Sequence, residues 1–203
     1  KMKLAKLTAG QIISTKGYYV AGDGGGASYL VAASQTVDGY GDHALAGGTV
    51  ALLQAGGSAD VKQYGAVGDG VTDATAAIQA ALDTTSTEIY FPDGTYRIAN
   101  ATTSPALTSS VADRRIYGTG VITATDQVKK AIQVTGANTV IDGLHIDGNN
   151  FIGYAIEMAS LNPTVRDCYI HDLNGFTDWG GIAIRLDFDG LDTSALVCNN
   201  VIK

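Results

Sequence analysis

Cysteine and proline are nearly missing from this sequence. Cys168 and Cys198 alone, in 203 residues, cannot make a disulfide framework. No CxxC or Cys/His cluster with metal-ligand spacing occurs, so neither a metal nor another cofactor is expected. Three prolines exclude a proline-rich linker. Basic residues are few: 13 Lys and Arg stand against 20 Asp and Glu, a net charge of −7. Nucleic acid is therefore not an expected partner, because its binding needs a basic footprint. No apolar run approaches the ~20 residues that cross a bilayer, so membrane insertion is not expected either. Lys1, Lys3 and Lys6 resemble the start of a signal peptide, yet KMKLAKLTAGQ (1–11) lacks the apolar segment that such a peptide carries.

Glycine is abundant instead, at 26 of 203 residues against a usual ~7%. With Thr, Val, Ile, Ala and Tyr dominating the rest, the composition leans towards β-structure with many tight turns. Three regions separate by pattern. Residues 1–58 hold short apolar pieces, IIS (12–14), YYVA (18–21), SYLVAA (28–33) and TVALLQ (49–54), broken by GDGGG (22–26) and DGYGD (38–42). They read as a small β-rich domain, with GGSAD (56–60) as a hinge. Residues 59–112 read as a strand over 61–64, a glycine-rich turn, a helix, and the strands EIYF (88–91) and TYRI (95–98) around the turn PDG (92–94). Thr72 or Asp73 is the expected N-cap, and Ile78, Ala81 and Leu82 make one apolar stripe.

Residues 113–203 repeat. RIYGTGVI (115–122), VIDGLHI (140–146), TVRDCYI (164–170) and LVCNNVI (196–202) align so that Ile116, Ile141, Val165 and Val197 form one column. Val121, Ile146, Ile170 and Ile202 form a second. Between them stand Gly118, Gly143, Asp167 and Asn199, the residue types that tolerate a left-handed backbone, which predicts a sharp corner once per repeat. Ile132 and Val134 match Ile156 and Met158, then Ile184 and Leu186, as a second family of strands. Short strands, a step near 24 residues and no helix predict an all-β, right-handed parallel β-helix in which like residues stack on successive turns.

The stretch VKQYGAVGDGVTDATAAIQAAL (61–82) opens a helix with glycines but lacks the lysine of a phosphate loop and fits no dinucleotide fingerprint. The structural reading is a lid. Gly68, Asp69, Gly70 and Asp73 turn the chain into a short helix, and Ile78 and Leu82 cover the end of the coil, which would otherwise expose apolar residues and strand edges. This stretch, followed by IYFPDGTYRI (89–98), resembles the start of the pectate-lyase-like β-helix superfamily, among whose members are bacteriophage tailspikes and capsule depolymerases. YYVAGDGGGASYLV (18–31) and HALAGGTVALL (43–53) resemble the small domain that precedes the helix in tailspikes. The resemblance implies a homotrimer in the virion tail, attached to other tail proteins, that binds a bacterial capsular or lipopolysaccharide glycan and in full length cleaves it as a hydrolase or lyase. Family members carry many more turns, so it also implies that this segment is an amino-terminal part, serving mainly attachment and scaffold. A free-standing bacterial lyase or hydrolase, and a non-enzymatic adhesive module, are the alternatives.

Outward positions on neighbouring turns lie ~4.8 Å apart and on alternate turns ~9.6 Å apart, close to the carboxylate separations of retaining and inverting glycosidases. Most acids have a plainer account. Asp167 falls in the corner column; Asp142 shares an outward column with Tyr117, Arg166 and Cys198, which suggests a surface ion pair. Glu157 aligns with Gln133 and Arg185 in a solvated ladder. The best cluster is HDLNGFTDWGG (171–181) beside DFDGLD (187–192), where the repeat lengthens. His171, Asp172, Asp178 and Trp179 are the candidate carbohydrate-binding residues, with FIGY (151–154) as an extension, since aromatic faces stack on sugar rings and acids accept hydroxyl protons. Trp179 and Phe176 packing the loop onto the coil is the competing reading. No residue is assigned as catalytic, and the three histidines look scattered.

Overall fold

An antiparallel unit comes first and a coil of parallel strands follows; the computed structural model describes residues 2–99, 101–174, 181–187 and 194–203. β1 (Ile12–Ser14), β2 (Ser28–Ala32), β3 (His43–Ala44) and β4 (Val50–Leu53) form one sheet in the order β1-β2-β4-β3. It buries Tyr29, Val31, Leu45 and Ala51 in a core of its own. The apolar segment 18–21 is a loop. Asp23 is the cause: its carboxylate accepts the backbone N–H groups of Tyr18, Tyr19, Val20 and Gly25 and gathers the chain around itself. Burial pushes this carboxyl up, but the four donors outweigh it and hold its pKa at about 2.

In the coil, each turn gives one strand to each of three parallel sheets. The opening turn is β5 (Ser58–Asp60) and β6 (Asp69–Asp73), with the helix α1 (Thr75–Leu82) where a third strand would stand. Next come β7 (Glu88–Phe91), β8 (Thr95–Ile98) and β9 (Ala101–Ser109), then β10 (Arg115–Gly118), β11 (Val121–Ala124) and β12 (Val128–Val134). The following turns are β13 (Val140–Asp142), β14 (His145–Asp147) and β15 (Ile152–Met158), and β16 (Thr164–Arg166), β17 (Tyr169–His171) and β18 (Ile182–Leu186). β19 (Leu196–Cys198) and β20 (Val201–Ile202) come last. The first sheet runs β5-β7-β10-β13-β16-β19, the second β6-β8-β11-β14-β17-β20 and the third β9-β12-β15-β18. The architecture is the right-handed parallel β-helix. Among the described residues no helix is long and apolar enough to cross a membrane.

Register shows why these residues form this coil. Ile89, Ile116, Ile141, Val165 and Val197 are paired in sequence up the first sheet. Tyr96, Ile122, Ile146, Ile170 and Ile202 do the same in the second, and Leu107, Ile132, Ile156 and Ile184 in the third. β-branched side chains fit this pleated, stacked surface, and burying each contributes about 1.5–3 kcal/mol. One column differs from expectation: Ile122, not Val121, pairs with Ile146, because the corner at Gly118-Thr119-Gly120 holds one residue more than that at Gly143-Leu144.

The corners stack as well. Gly118, Gly143, Asp167 and Asn199 all have positive φ, at 147°, 71°, 55° and 56°. At Gly118 a Cβ would stand 2.0 Å from the Phe91 carbonyl oxygen, so close approach demands glycine there, whereas Gly143 is fixed by backbone angle alone. A second corner column went unread in the sequence. Asp113, Asn138 and Asn162 also have positive φ, and Asn138 Nδ2 donates to Asp113 Oδ1 at 2.8 Å while Asn162 Nδ2 donates to Asn138 Oδ1 at 3.1 Å. Local side-chain hydrogen bonding makes Asn and Asp suitable for such a left-handed ladder.

The opening turn departs furthest from expectation. The first strand is Ser58–Asp60, inside the expected hinge, and Val61–Tyr64 is one turn of 3-10 helix. Asp60 accepts the Lys62 N–H at its start, and Gly65 at φ 96° ends it. Val61 and Tyr64 are both buried, three apart, which fits a tight helical turn. Gly68, Asp69 and Gly70 do not simply lead into a helix: Asp69 and Gly70 begin β6, which pairs with β8 through an irregular register. Neither Thr72 nor Asp73 is the N-cap; that position is Ala74, without a side-chain cap. Asp73 instead bonds the Thr75 N–H from one residue further out.

The helix packs as a plug, with Ile78, Ala81 and Leu82 in the same buried cluster as Ile89, Leu107 and Ile116. Two side chains join it to the coil. Gln79 Oε1 accepts the Thr108 N–H at 2.9 Å and its Nε2 donates to the Thr108 carbonyl at 2.9 Å, replacing the backbone partner that a neighbouring strand would give β9. Arg114, 1% exposed, donates to the carbonyls of Leu82 at 2.5 Å and Ser86 at 2.9 Å, and to that of Thr84. These are the helix's last carbonyl and two just beyond it, where the helix dipole favours a cation. Burial lowers the pKa of this guanidinium, and Asp83 opposes the shift.

Candidate functional site

Alternation in the second sheet turns the residues flanking its isoleucine column outward. On β14 these are His145 and Asp147, and on β17 their register partners Tyr169 and His171. The three rings cluster, with centroids 4.8 Å apart for His145–Tyr169, 4.7 Å for Tyr169–His171 and 5.0 Å for His145–His171. His145 Nε2 and His171 Nε2 are 2.8 Å apart. On its other side, His171 Nδ1 lies 2.8 Å from Asp172 Oδ2 and 3.7 Å from Asp147 Oδ1. Burial lowers the pKa of His145, His171 adds to the effect, and Asp147 opposes it. The Lys203 ammonium lies 5.5 Å over the Tyr169 ring.

Flat rings beside carboxylates suit a ligand that is apolar on one face and hydroxyl-rich at its edges. Of the residues selected from sequence, His171 and Asp172 are in this cluster. Trp179 and Asp178, with Phe176, Asp189 and Asp192, lie outside the described residues. His145, Asp147 and Tyr169 were not selected, and two histidines that looked scattered are in contact. The repeat step held the signal, since adding 24 to 145 and 147 gives Tyr169 and His171. FIGY (151–154) does not extend the face: Tyr154 is buried and Phe151 packs against the main core.

The other acids are accounted for differently. Asp142 accepts from Arg166 Nη2 at 2.8 Å, and also from Arg115 Nη2 at 2.7 Å, so it is clamped by two arginines. Hydrogen bonding from Arg166 leads in holding its carboxyl below the usual range; Arg115 adds to that effect, and burial opposes it. Asp167 is a corner residue at φ 55°. Glu157 is no solvated ladder member: it is 1% exposed, with Oε1 bound by Lys130 Nζ at 2.5 Å and Gln133 Nε2 at 2.6 Å, and Arg185 3.4 Å from Oε2. The long stems of Lys130 and Arg185 cover it while their charges offset its own. Of the lid residues, Ile78 and Leu82 lie in the core, Gly68 directly precedes β6, and Asp69, Gly70 and Asp73 lie within that strand.

Comparison with known proteins fits this architecture. Residues 58–156 match the model of the family described as rhamnogalacturonase A/epimerase, pectate lyase-like. No curated protein matches the sequence. Among solved structures, the tailspike gp49 of the Acinetobacter baumannii bacteriophage Fri1, a capsular polysaccharide depolymerase, superposes with a TM-score of 0.74 at 18% identity, over 98% of this chain and 41% of the tailspike. WceF of Pantoea stewartii, a glycan biofilm modifying enzyme, gives 0.63 at 15% identity over 99% of this chain and 36% of its own. The A-module of the Azotobacter vinelandii mannuronan C-5 epimerase AlgE6 gives 0.50 at 24% identity over 56% and 37%. The chain thus spans about two fifths of the length of the structures it matches. It has the pectate lyase-like right-handed parallel β-helix fold, the fold of the phage tailspikes to which it is similar.

Proposed function

We propose that the chain is the amino-terminal part of a phage tailspike that recognises a bacterial capsular or lipopolysaccharide glycan, which the whole protein degrades by glycosidase or lyase chemistry. The observation that carries this reading is the stacked face of His145, Tyr169 and His171 with Asp147 and Asp172 beside it. A pyranose laid on the rings buries its C–H face, and the carboxylates accept its hydroxyl protons. Asp178 and Trp179, a few residues after Asp172 in the sequence, are proposed as further glycan-binding residues. The solved relatives support the reading because the two with the higher TM-scores are described as acting on glycans. In this proposal residues 1–58 attach the protein to other tail proteins, 59–112 close the coil and 113–203 begin the glycan-facing scaffold. The protein acts as a homotrimer in the virion tail.

A panel of bacterial capsular and lipopolysaccharide glycans, screened by calorimetry, tests this. At least one should bind, and Tyr169→Ala should weaken it about tenfold or more, the equivalent of ~1.4 kcal/mol. Sedimentation should show a trimer. A monomer that binds no member of the panel contradicts the reading.

A further inference from the structure

The outer face of the second sheet gathers more negative charge around one imidazole nitrogen than a proton balances. His145 Nε2 and His171 Nε2 are 2.8 Å apart, and so short a contact between ring nitrogens is a hydrogen bond with one donor and one acceptor. On its other side, His171 Nδ1 lies 2.8 Å from Asp172 Oδ2, a hydrogen bond when that nitrogen carries the proton, and 3.7 Å from Asp147 Oδ1. When His171 instead donates through Nε2, Nδ1 turns its lone pair toward the two carboxylates, and a cation can join the three. A proton supplies one charge against two carboxylates, whereas a divalent ion supplies two and leaves the group neutral.

We propose that Asp147, His171 and Asp172 bind a first-row divalent cation, Zn2+ or Mn2+, through His171 Nδ1 and one oxygen of each carboxylate. Candidate ligand atoms of the three residues lie within 4.8 Å of one another, and small side-chain rotations bring them to the ~2.0–2.2 Å bonds such ions make. The donor set narrows the ion: an imidazole nitrogen favours Zn2+ over Ca2+ and Mg2+, which take oxygen ligands, while the two carboxylates also suit Mn2+. Asp147 and His171 are register partners on β14 and β17, so the sheet rather than a loop sets their spacing. Asp147 is held further by the Asn149 N–H, which donates to Oδ1 at 2.9 Å. His145 is a positioning residue. By accepting the Nε2–H of His171 it fixes the tautomer that leaves Nδ1 free, as partners of metal-bound imidazoles do. Three protein ligands leave a fourth position for water or a hydroxyl. Sequence spacing conceals the site, because one turn of the coil separates Asp147 from His171.

The test titrates Zn2+ and Mn2+ separately into metal-stripped protein with no glycan present, so its outcome is independent of the glycan reading. With at least one of them a single ion should bind per chain. Asp147→Asn and His171→Gln should each abolish that event, and His145→Gln should weaken it about 10–100-fold. On the unmodified protein, which needs no variant to fold, bound Mn2+ should broaden the ring resonances of His171 and His145 and spare those of His43. No binding of either ion, binding unchanged in Asp147→Asn, or broadening that spares His171 overturns the proposal.

Discussion

The opening turn and the last turn described hold the same columns of side chains differently. At the opening turn Ile89 and Tyr96 are fully buried, in one cluster with Ile78 and Leu82 of α1. In the last turn Val197 and Ile202, in those same two columns, are 44% and 57% exposed. The repeat specifies its interior one turn at a time, and what covers the opening turn lies outside the repeat. Closure takes side chains of a different kind: the amide of Gln79 standing in for a strand, and the guanidinium of Arg114 satisfying the carbonyls where α1 stops.

The sharpest way to break the comparison is to remove that closure. Arg114→Ala strips donors from buried carbonyls and should cost on the order of 3–5 kcal/mol by urea unfolding. Arg166→Ala, which opens a pair with Asp142 whose arginine is about half exposed at mid-coil, should cost far less in the same assay. Equal losses would show that Arg114 has no special place at the end. The same logic applies within one column. Ile141→Ala leaves a cavity in the packed interior and should cost about 2–5 kcal/mol, while Val197→Ala, already half exposed, should cost well under half as much in the same assay.

These contrasts also mark what the sequence disclosed. The inward columns and the first corner could be read directly, because apolar side chains and left-handed residues recur at a fixed step. The cover of the opening turn could not, because Gln79 and Arg114 act once and a single polar residue has no period. Val61–Tyr64 reads as a strand because Val and Tyr favour strands, but its two buried residues stand three apart, the spacing of a 3-10 turn rather than of strand alternation. At the candidate site His171 and Asp172 stood out as a local cluster, while His145, Asp147 and Tyr169 needed the 24-residue step applied to outward positions as well as inward ones. Glu157 looked exposed because its column faces out; the cover given by Lys130 and Arg185 depends on side-chain reach, which spacing does not encode.

The smallest expected effect concerns pH and the antiparallel unit. His43 on β3 is buried between Tyr18 and Tyr29. Burial chiefly lowers its pKa from 6.5, Lys3 adds to this, and Asp38 opposes it. The unfolded chain then takes up a proton near pH 6.5 that the folded unit resists, so the stability due to neutral His43 is present above that pH and declines as pH falls below it. Unfolding of the wild type should show a modest loss of stability between neutral pH and about pH 5, and His43→Phe should flatten the profile. An unchanged profile would show that His43 does not titrate differently on folding.

The central claim is that outward, inward and corner residues one repeat apart are stacked neighbours in a parallel coil. Nuclear Overhauser spectra of the isotopically labelled protein test it most directly. The account predicts inter-strand contacts of the parallel type between the backbones of Ile116 and Ile141, Ile141 and Val165, and Ile146 and Ile170. Close Hα–Hα contacts of the antiparallel type among β10, β13 and β16, or no contacts at that step, would contradict it.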